Sequence, residues 1–373
     1  MKRKEKEKNF AGPQIPTRDF YQVLEFLVYF GPGILVLLIC RVLAGNPMVS
    51  LILAGLVTVW PLLKLFLARF LAPIRKKKDP RHALRSGPFL FDGLLFWGSP
   101  VLREIRKYGA LSRSLDMIYN FHGLFGIKPE KLEDNWWKVS PFGLLNRAIK
   151  AWTETWMTMP VAQDVTERLV MVKDMIVEIV SEIHQSHPAG EIKILAIAAG
   201  TNQDLLLAVR ELKEKFPGIA VKVVSVEPDS NFALHRAKDL RRLWEIPEDI
   251  FINLFSRASS DPESEKFLWR ILQEKGIPFS DFDLVVCIGL GDYQGRKLRR
   301  FLQMLDNGSA PIVTANVSNN WVERVFLHWF IQWPKMQYLS FERYGEILSA
   351  VLPGRQILLT PTRHKIFNVA VIK

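Results

Sequence analysis

The groups with chemical reach in this chain are a carboxylate at Glu227 and an acid beside a phenol at Asp292 and Tyr293. Glu227 ends the apolar run Val221–Val226. Ahead of it, the apolar run Ile192–Ile197 leads into five small residues, Ala198, Ala199, Gly200, Thr201 and Asn202. Small residues at such a turn let a ligand approach backbone N–H groups at the start of a helix. An acid at the tip of the next strand accepts hydrogen bonds from both hydroxyls of a ribose. Turn and acid together form a site for an adenosine-type ligand. Asp292 and Tyr293 close the run Gly289-Leu290-Gly291-Asp292-Tyr293, which follows a strand predicted over Phe282–Gly289. Its glycines let backbone come close to a ligand. Its polar pair would reach into the crevice at the C-terminal edge of an open sheet. A strand-to-helix turn with Asp292 as helix N-cap is the competing reading.

Alternating apolar runs and helical periods place these groups. After the strand at Ile192–Ile197 comes a helix over about Asp204–Lys215, the strand Val221–Val226, and a helix over about Asn231–Leu243. Further strands are predicted at Ile250–Phe255 and Pro311–Val317, with helices at Phe267–Lys275 and Phe341–Val351. Gln356–Pro361 and Ile366–Lys373 alternate as strands and are joined by Thr362-Arg363-His364-Lys365, which reads as an antiparallel hairpin. Upstream, Leu169, Val172, Ile176, Ile179, Val180 and Ile183 recur with a helical period over Thr166–His184. Trp152 and Trp156 fall on one helical face, suited either to core packing or to a lid over substrate. Trp321, Trp329 and Trp333 belong to an aromatic helix face over Asn320–Trp333, read as core. His328 lies off that face and reads as an exposed or hydrogen-bonded histidine.

This order of elements resembles a class I S-adenosylmethionine (SAM)-dependent methyltransferase over about Ile192–Lys373. The family's acidic-x-Gly-x-Gly-x-Gly loop falls on Ala196, Ala198, Gly200 and Asn202, so one glycine is kept. Asn tolerates a positive φ better than most residues; Ala196 removes the acid. The resemblance implies a seven-stranded Rossmann-like α/β sheet closed by the C-terminal antiparallel hairpin, with SAM as cofactor. It also implies that Ala198, Ala199, Gly200, Thr201 and Asn202 meet the methionine end and that Glu227 holds the ribose. Cys287, Ile288 and Gly289 would form the opposite wall, and Asp292 and Tyr293 would be the candidates for a general base. The closing hairpin counts against a dehydrogenase. So does the lack of Gly-x-Gly-x-x-Gly, whose positions hold Ala198, Gly200 and Gln203.

The front of the chain differs in character. Phe26–Cys40 and Val42–Leu63 carry no charge, and Ala44-Gly45-Asn46-Pro47 is the turn expected between the two helices. Basic residues flank them at Lys2, Arg3, Lys4, Lys6 and Lys8 and again at Arg75–Lys78. A span needs about 20 apolar residues, so a two-helix transmembrane hairpin with both ends on the cytoplasmic side is expected. Gly31-Pro32-Gly33 would kink the first helix, which keeps monotopic insertion open. The predicted organisation is a basic tail (1–19), a membrane hairpin (20–72), a linker and helical cap region (73–160) and a methyltransferase-like domain (161–373).

The chain has 373 residues, is 49% hydrophobic and carries a formal net charge of +12. Such a balance favours anionic partners. The basic clusters bracket the most apolar segments, which points to the lipid bilayer and away from nucleic acid. The run Arg296, Lys297, Arg299 and Arg300 reads as a solvated helix face. Two cysteines, Cys40 and Cys287, give no disulfide framework or metal set. The membrane anchor points to a small-molecule acceptor in or near the bilayer, such as a lipid, quinone or isoprenoid. A SAM-binding scaffold without catalysis, an aminopropyl-type transferase and a nucleic-acid-modifying enzyme are the other readings. The missing second acid near the fourth strand counts against the aminopropyl transferase.

Overall fold

Strands buried on both faces organise the domain. β1 (Ile192–Ile197), β2 (Val221–Glu227), β3 (Phe251–Phe255), β4 (Leu284–Ile288) and β5 (Ile312–Val317) run parallel. They are rich in Val, Ile and Leu because helices cover both sides. β6 (Ile357–Pro361) and β7 (Phe367–Ile372) form the expected hairpin, and β7 pairs antiparallel with β5 from Ile312↔Ile372 to Val317↔Phe367. The strand order is β3-β2-β1-β4-β5-β7-β6. The structure is a computed structural model, and it describes residues 99–108, 112–123, 125–129, 132, 135–138, 143–198, 200–227, 232–255, 271–319 and 336–373.

The period of two along each strand sorts side chains into two layers. Ile192, Ile194, Ala196, Val221 and Val223 point to one face. They pack there with α4 (Pro160–Ser186), α5 (Gln203–Lys215) and α6 (Phe232–Leu243). Leu195, Ile197, Val285, Cys287 and Ile312 point to the other, against α7 (Leu298–Leu305) and α8 (Phe341–Val351). α7 buries Leu298, Phe301, Leu302 and Leu305 and exposes Lys297, Arg299 and Arg300 beside them, so the basic run is a solvated face.

α4 is longer than its apolar period suggests. Pro160 opens it, since a first-turn residue needs no N–H donor. Near its start, Asp164 is fully buried and turns toward the β6–β7 turn. Its carboxylate accepts from Thr362 Oγ1 (2.5 Å), Ile366 N (3.0 Å) and His364 N (3.1 Å).

α1 (Pro100–Tyr108), α2 (Ser112–Asn120) and α3 (Gly143–Met157) lie within the stretch read as linker and cap. They belong to the same compact unit as the sheet, Gly98–Lys373. On α3, Trp156 is 5% exposed and Trp152 38%, with their rings edge to face at 5.8 Å. One tryptophan is therefore core and its neighbour is surface.

The basic tail, the hairpin at 20–72, Ala199 and the aromatic stretch Asn320–Trp333 with His328 lie outside the described residues. Of the helix expected over 267–275, residues 271–274 are described and helical. Among the described residues, no helix is long and apolar enough to cross a membrane.

Candidate functional site

The loop between β1 and α5 carries the most informative backbone in the molecule. Ala198, Gly200 and Asn202 all have positive φ, at 52°, 58° and 56°. These are the three positions where the family's loop has glycine. Glycine adopts this conformation at no steric cost; alanine gives up about 1–2 kcal/mol there. The loop therefore keeps the glycine geometry with one glycine. Ala198 N donates to Val226 O at 2.8 Å, which anchors the strained residue to the tip of β2. A Cβ on Gly200 would come within 3.4 Å of Ser112 Oγ on α2.

Glu227 sits at the end of β2, 7% exposed, and its Oε2 accepts from Gly200 N at 2.6 Å. The acid and the loop thus meet, as their spacing predicts. Asn202 is buried; its Oδ1 accepts from Ser225 Oγ at 2.9 Å, a second bond from loop to β2. Thr201 is buried as well.

A polar network that sequence patterns did not reveal supports this loop. Gln203, the first residue of α5, exchanges two hydrogen bonds with Asn120 of α2, at 2.8 and 3.1 Å. Asn120 Nδ2 also donates to Asp116 Oδ1 (2.9 Å), which accepts from Arg236 Nε on α6 (2.7 Å). Arg236 Nη2 donates to Lys128 O at 2.6 Å. Asp116 and Asn120 are 1% and 0% exposed. Each residue alone looks like an ordinary surface polar group. Only the folded chain shows that α2 is clamped to the loop.

The second part of the site lies where β4 and β5 end. Cys287 is wholly buried in the core on the α7–α8 side, and burial pushes its thiol up, so it stays protonated. Ile288 packs toward the opposite layer. Gly289 has φ +90°, and among the described residues no atom lies within 4 Å of where a Cβ would sit. Cys287 can contribute only backbone to such a wall.

Asp292 is not a helix N-cap. It lies in the 3-10 turn Gly291–Tyr293, is 2% exposed and accepts from Val317 N and Asn316 Nδ2, each at 2.8 Å. Burial raises its pKa to about 7, while the Val317 N–H, Arg168 and Asn316 act in the opposite direction. Tyr293 is 40% exposed, so the acid and the phenol differ sharply in their surroundings.

Arg168 of α4 completes this end. It is 5% exposed, lies over the Phe367 ring at 4.5 Å and donates through Nη2 to Tyr119 OH at 3.1 Å. Its Nε has no hydrogen-bond partner among the described residues. Burial works against its charge, but Tyr119, Asp292 and Tyr293 more than offset that and raise its pKa. Burial also lifts Asp204, in the first turn of α5, to about 6, with the Leu205 N–H and Arg168 opposing. The helical period had marked α4 for its apolar residues, and Arg168 carried no signal within it.

The strand order decides the fold. Five parallel strands are followed by a hairpin whose last strand inserts antiparallel beside β5. The fold is Rossmann-like, of the methyltransferase kind. No family model matches the chain, and no curated protein matches it either. Among solved structures it is similar to the plantazolicin methyltransferase BpumL in complex with SAH, with 10% identity, 62% of this chain and 99% of that one covered, and a TM-score of 0.35. An O-methyltransferase family protein from Burkholderia thailandensis is similar at 10% identity over 59% of this chain and 62% of that one, with a TM-score of 0.35. The citrinin polyketide synthase CMeT domain is similar at 12% identity over 49% of this chain, with a TM-score of 0.33, and this chain spans 46% of its length. The statement of the fold rests on the strand order and the antiparallel last strand.

Proposed function

We propose that the chain is a SAM-dependent methyltransferase, anchored to a membrane with its catalytic domain on the cytoplasmic side. The observation that carries the reading is the left-handed backbone at Ala198, Gly200 and Asn202, held against Glu227 at the tip of β2. A loop that keeps a strained alanine in glycine geometry retains a shape that core packing alone does not require. That shape and the acid fit the adenosine and methionine ends of SAM.

SAM supplies an activated methyl group, so the protein's task is to position two reactants and exclude water. Glu227 would hold the ribose. The loop from Ala198 to Asn202 would meet the methionine end, and the backbone around Gly289 would line the far side. With SAM bound, the acceptor's lone pair would take the methyl carbon as the carbon–sulfur bond breaks, its electrons staying on sulfur. The acceptor's proton then leaves to Asp292 or to water. A carboxylate whose pKa is about 7 suits that role near neutral pH.

The bilayer as partner and a lipophilic small-molecule acceptor belong to the same reading. They rest on the uncharged segments Phe26–Cys40 and Val42–Leu63 and on the basic residues around them. The basic clusters at the front flank apolar chain, which favours the bilayer over nucleic acid as their partner.

A second reading is a SAM-binding scaffold without catalysis. Ala196 favours it: the residue is 0% exposed and packs in the core, so the loop lacks the family's acid at that position. Calorimetric titration of the detergent-solubilised full chain with SAM tests both. Binding by the wild type that Glu227→Ala weakens about 100-fold supports the cofactor site, as expected for loss of charge-assisted hydrogen bonds. Binding without methyl transfer to a panel of lipids, quinones and small amines selects the scaffold. No binding by folded wild-type protein sinks both.

A further inference from the structure

The rim where β4 and β5 end holds acceptor atoms that nothing in the described chain satisfies. Asn316, the penultimate residue of β5, is 1% exposed. Its Nδ2 donates to Asp292 Oδ1 at 2.8 Å and to Gln337 O at 3.0 Å. Gln337 O is a carbonyl, and Asp292 Oδ1 also accepts from Val317 N, so both partners require a donor. The amide nitrogen must therefore face them, which fixes the flip of the amide and turns Oδ1 elsewhere. Oδ1 is buried and has no hydrogen-bond partner among the described residues; the same holds for Gln337 Oε1. The backbone of Gln337 is held in place, because its N donates to Asp292 O at 2.6 Å.

Three residues from three segments thus meet: the turn after β4, the end of β5 and the stretch ahead of α8. Hydrogen bonds tie them to one another, and two of their side-chain oxygens are left over. An unsatisfied buried acceptor costs on the order of 1–3 kcal/mol. Two in linked residues, at the sheet edge where open α/β folds bind ligands, are a feature that packing does not explain.

We propose that Asn316 Oδ1 and Gln337 Oε1, together with the carboxyl group of Asp292, form the subsite for the methyl acceptor. They would receive N–H or O–H donors from it. The acceptor is then an amine or a hydroxyl compound. A thioether or carbon nucleophile brings no donor and would leave both oxygens bare. This assignment rests on the methyltransferase reading for its chemistry, but the subsite can be probed without turnover.

The probes are benzylamine, benzyl alcohol and toluene, which share a ring and differ in the donor. Each is titrated by ligand-observed NMR into the full-length protein, with and without S-adenosylhomocysteine. The amine and the alcohol are expected to bind at least about tenfold more tightly than toluene, in line with one or two hydrogen bonds gained. Their order tells amine from hydroxyl. Gln337→Leu should remove about tenfold of that preference, and Gln337→Glu should retain it. The hydrogen bonds that hold Gln337 in place use its backbone, so the leucine variant keeps them. Asn316→Leu should abolish the preference, with thermal melting as its check on folding. Toluene binding as tightly as the amine, no donor-bearing probe binding, or an unchanged preference in Gln337→Leu overturns the assignment and leaves the oxygens to ordered water. Titration with S-adenosylhomocysteine alone reads the cofactor site separately, so its failure is distinguishable from failure of the subsite.

Discussion

The loop from Ala198 to Asn202 and the rim of Asp292, Asn316 and Gln337 lie along the same edge of the sheet, yet one is built from backbone and the other from side chains. In the loop, three left-handed residues and the Glu227–Gly200 bond set the shape, and most side chains are small. At the rim, the backbone is ordinary apart from Gly289, and polar side chains carry the chemistry. A backbone-built site tolerates changes of side chain as long as φ is kept. A site built from side chains depends on each group and on its proton.

The largest effect is expected where the loop relies on side chains after all. Arg236→Ala removes an ion pair with buried Asp116 and loosens the clamp on Gln203. A destabilisation of about 3–5 kcal/mol follows for a broken buried pair, read by thermal melting together with a fall in SAM affinity. If affinity holds while stability falls, the clamp does not shape the loop.

Asp292→Asn sharpens the contrast at the rim. The folded-state pKa of Asp292 is raised above its unfolded value, so the native state binds the extra proton. Stability then falls as pH rises from about 4 to about 7, and is level above that. Arg168, Tyr293, Cys287 and Tyr344 are coupled to the same carboxyl group. The asparagine variant keeps an oxygen for Val317 N. It should match the wild type near pH 4 and exceed it by about 2–4 kcal/mol above pH 8. A melting difference independent of pH would show that Asp292 does not titrate in this window.

The smallest effect is the most diagnostic for the loop. Ala198→Gly should stabilise the protein by about 1 kcal/mol, because glycine relieves the left-handed strain there and loses only part of that gain to unfolded-state entropy. SAM affinity should hold or improve. A loss of stability would mean that the alanine methyl group contributes more in packing than its backbone costs.

Much of this was legible in the sequence because it is local. The strands β1 to β5, the helix Phe341–Val351 and the closing hairpin follow from periodicity and turn residues, and each falls within a few residues of its expected bounds. The small-residue turn and Glu227 were legible too, since spacing along one β–α–β unit brings them together. Arg168, Asn316 and Gln337 were not. Each is one polar residue in a run that reads as helix, strand or loop, and its partners come from distant segments. Asp292 was marked by position, but its role was split between a cap and a reactive group. What separates these is burial and the bond to Val317 N, neither of which has a sequence signature.

The buried carboxylate of Asp164 has a consequence of another kind. It joins the start of α4 to the β6–β7 turn across about 200 residues, Thr362 being 198 positions away and Ile366 202. Every strand from β1 to β6 lies in the chain between those two points. Closing a loop of that length costs chain entropy before the contact gives anything back, so the clasp is expected late in folding rather than in its nucleus. Interactions formed that late govern how slowly a protein comes apart more than how fast it assembles. Asp164 is in this sense a latch on lifetime: weakening it should shorten the residence of the native state while leaving the rate of refolding almost untouched.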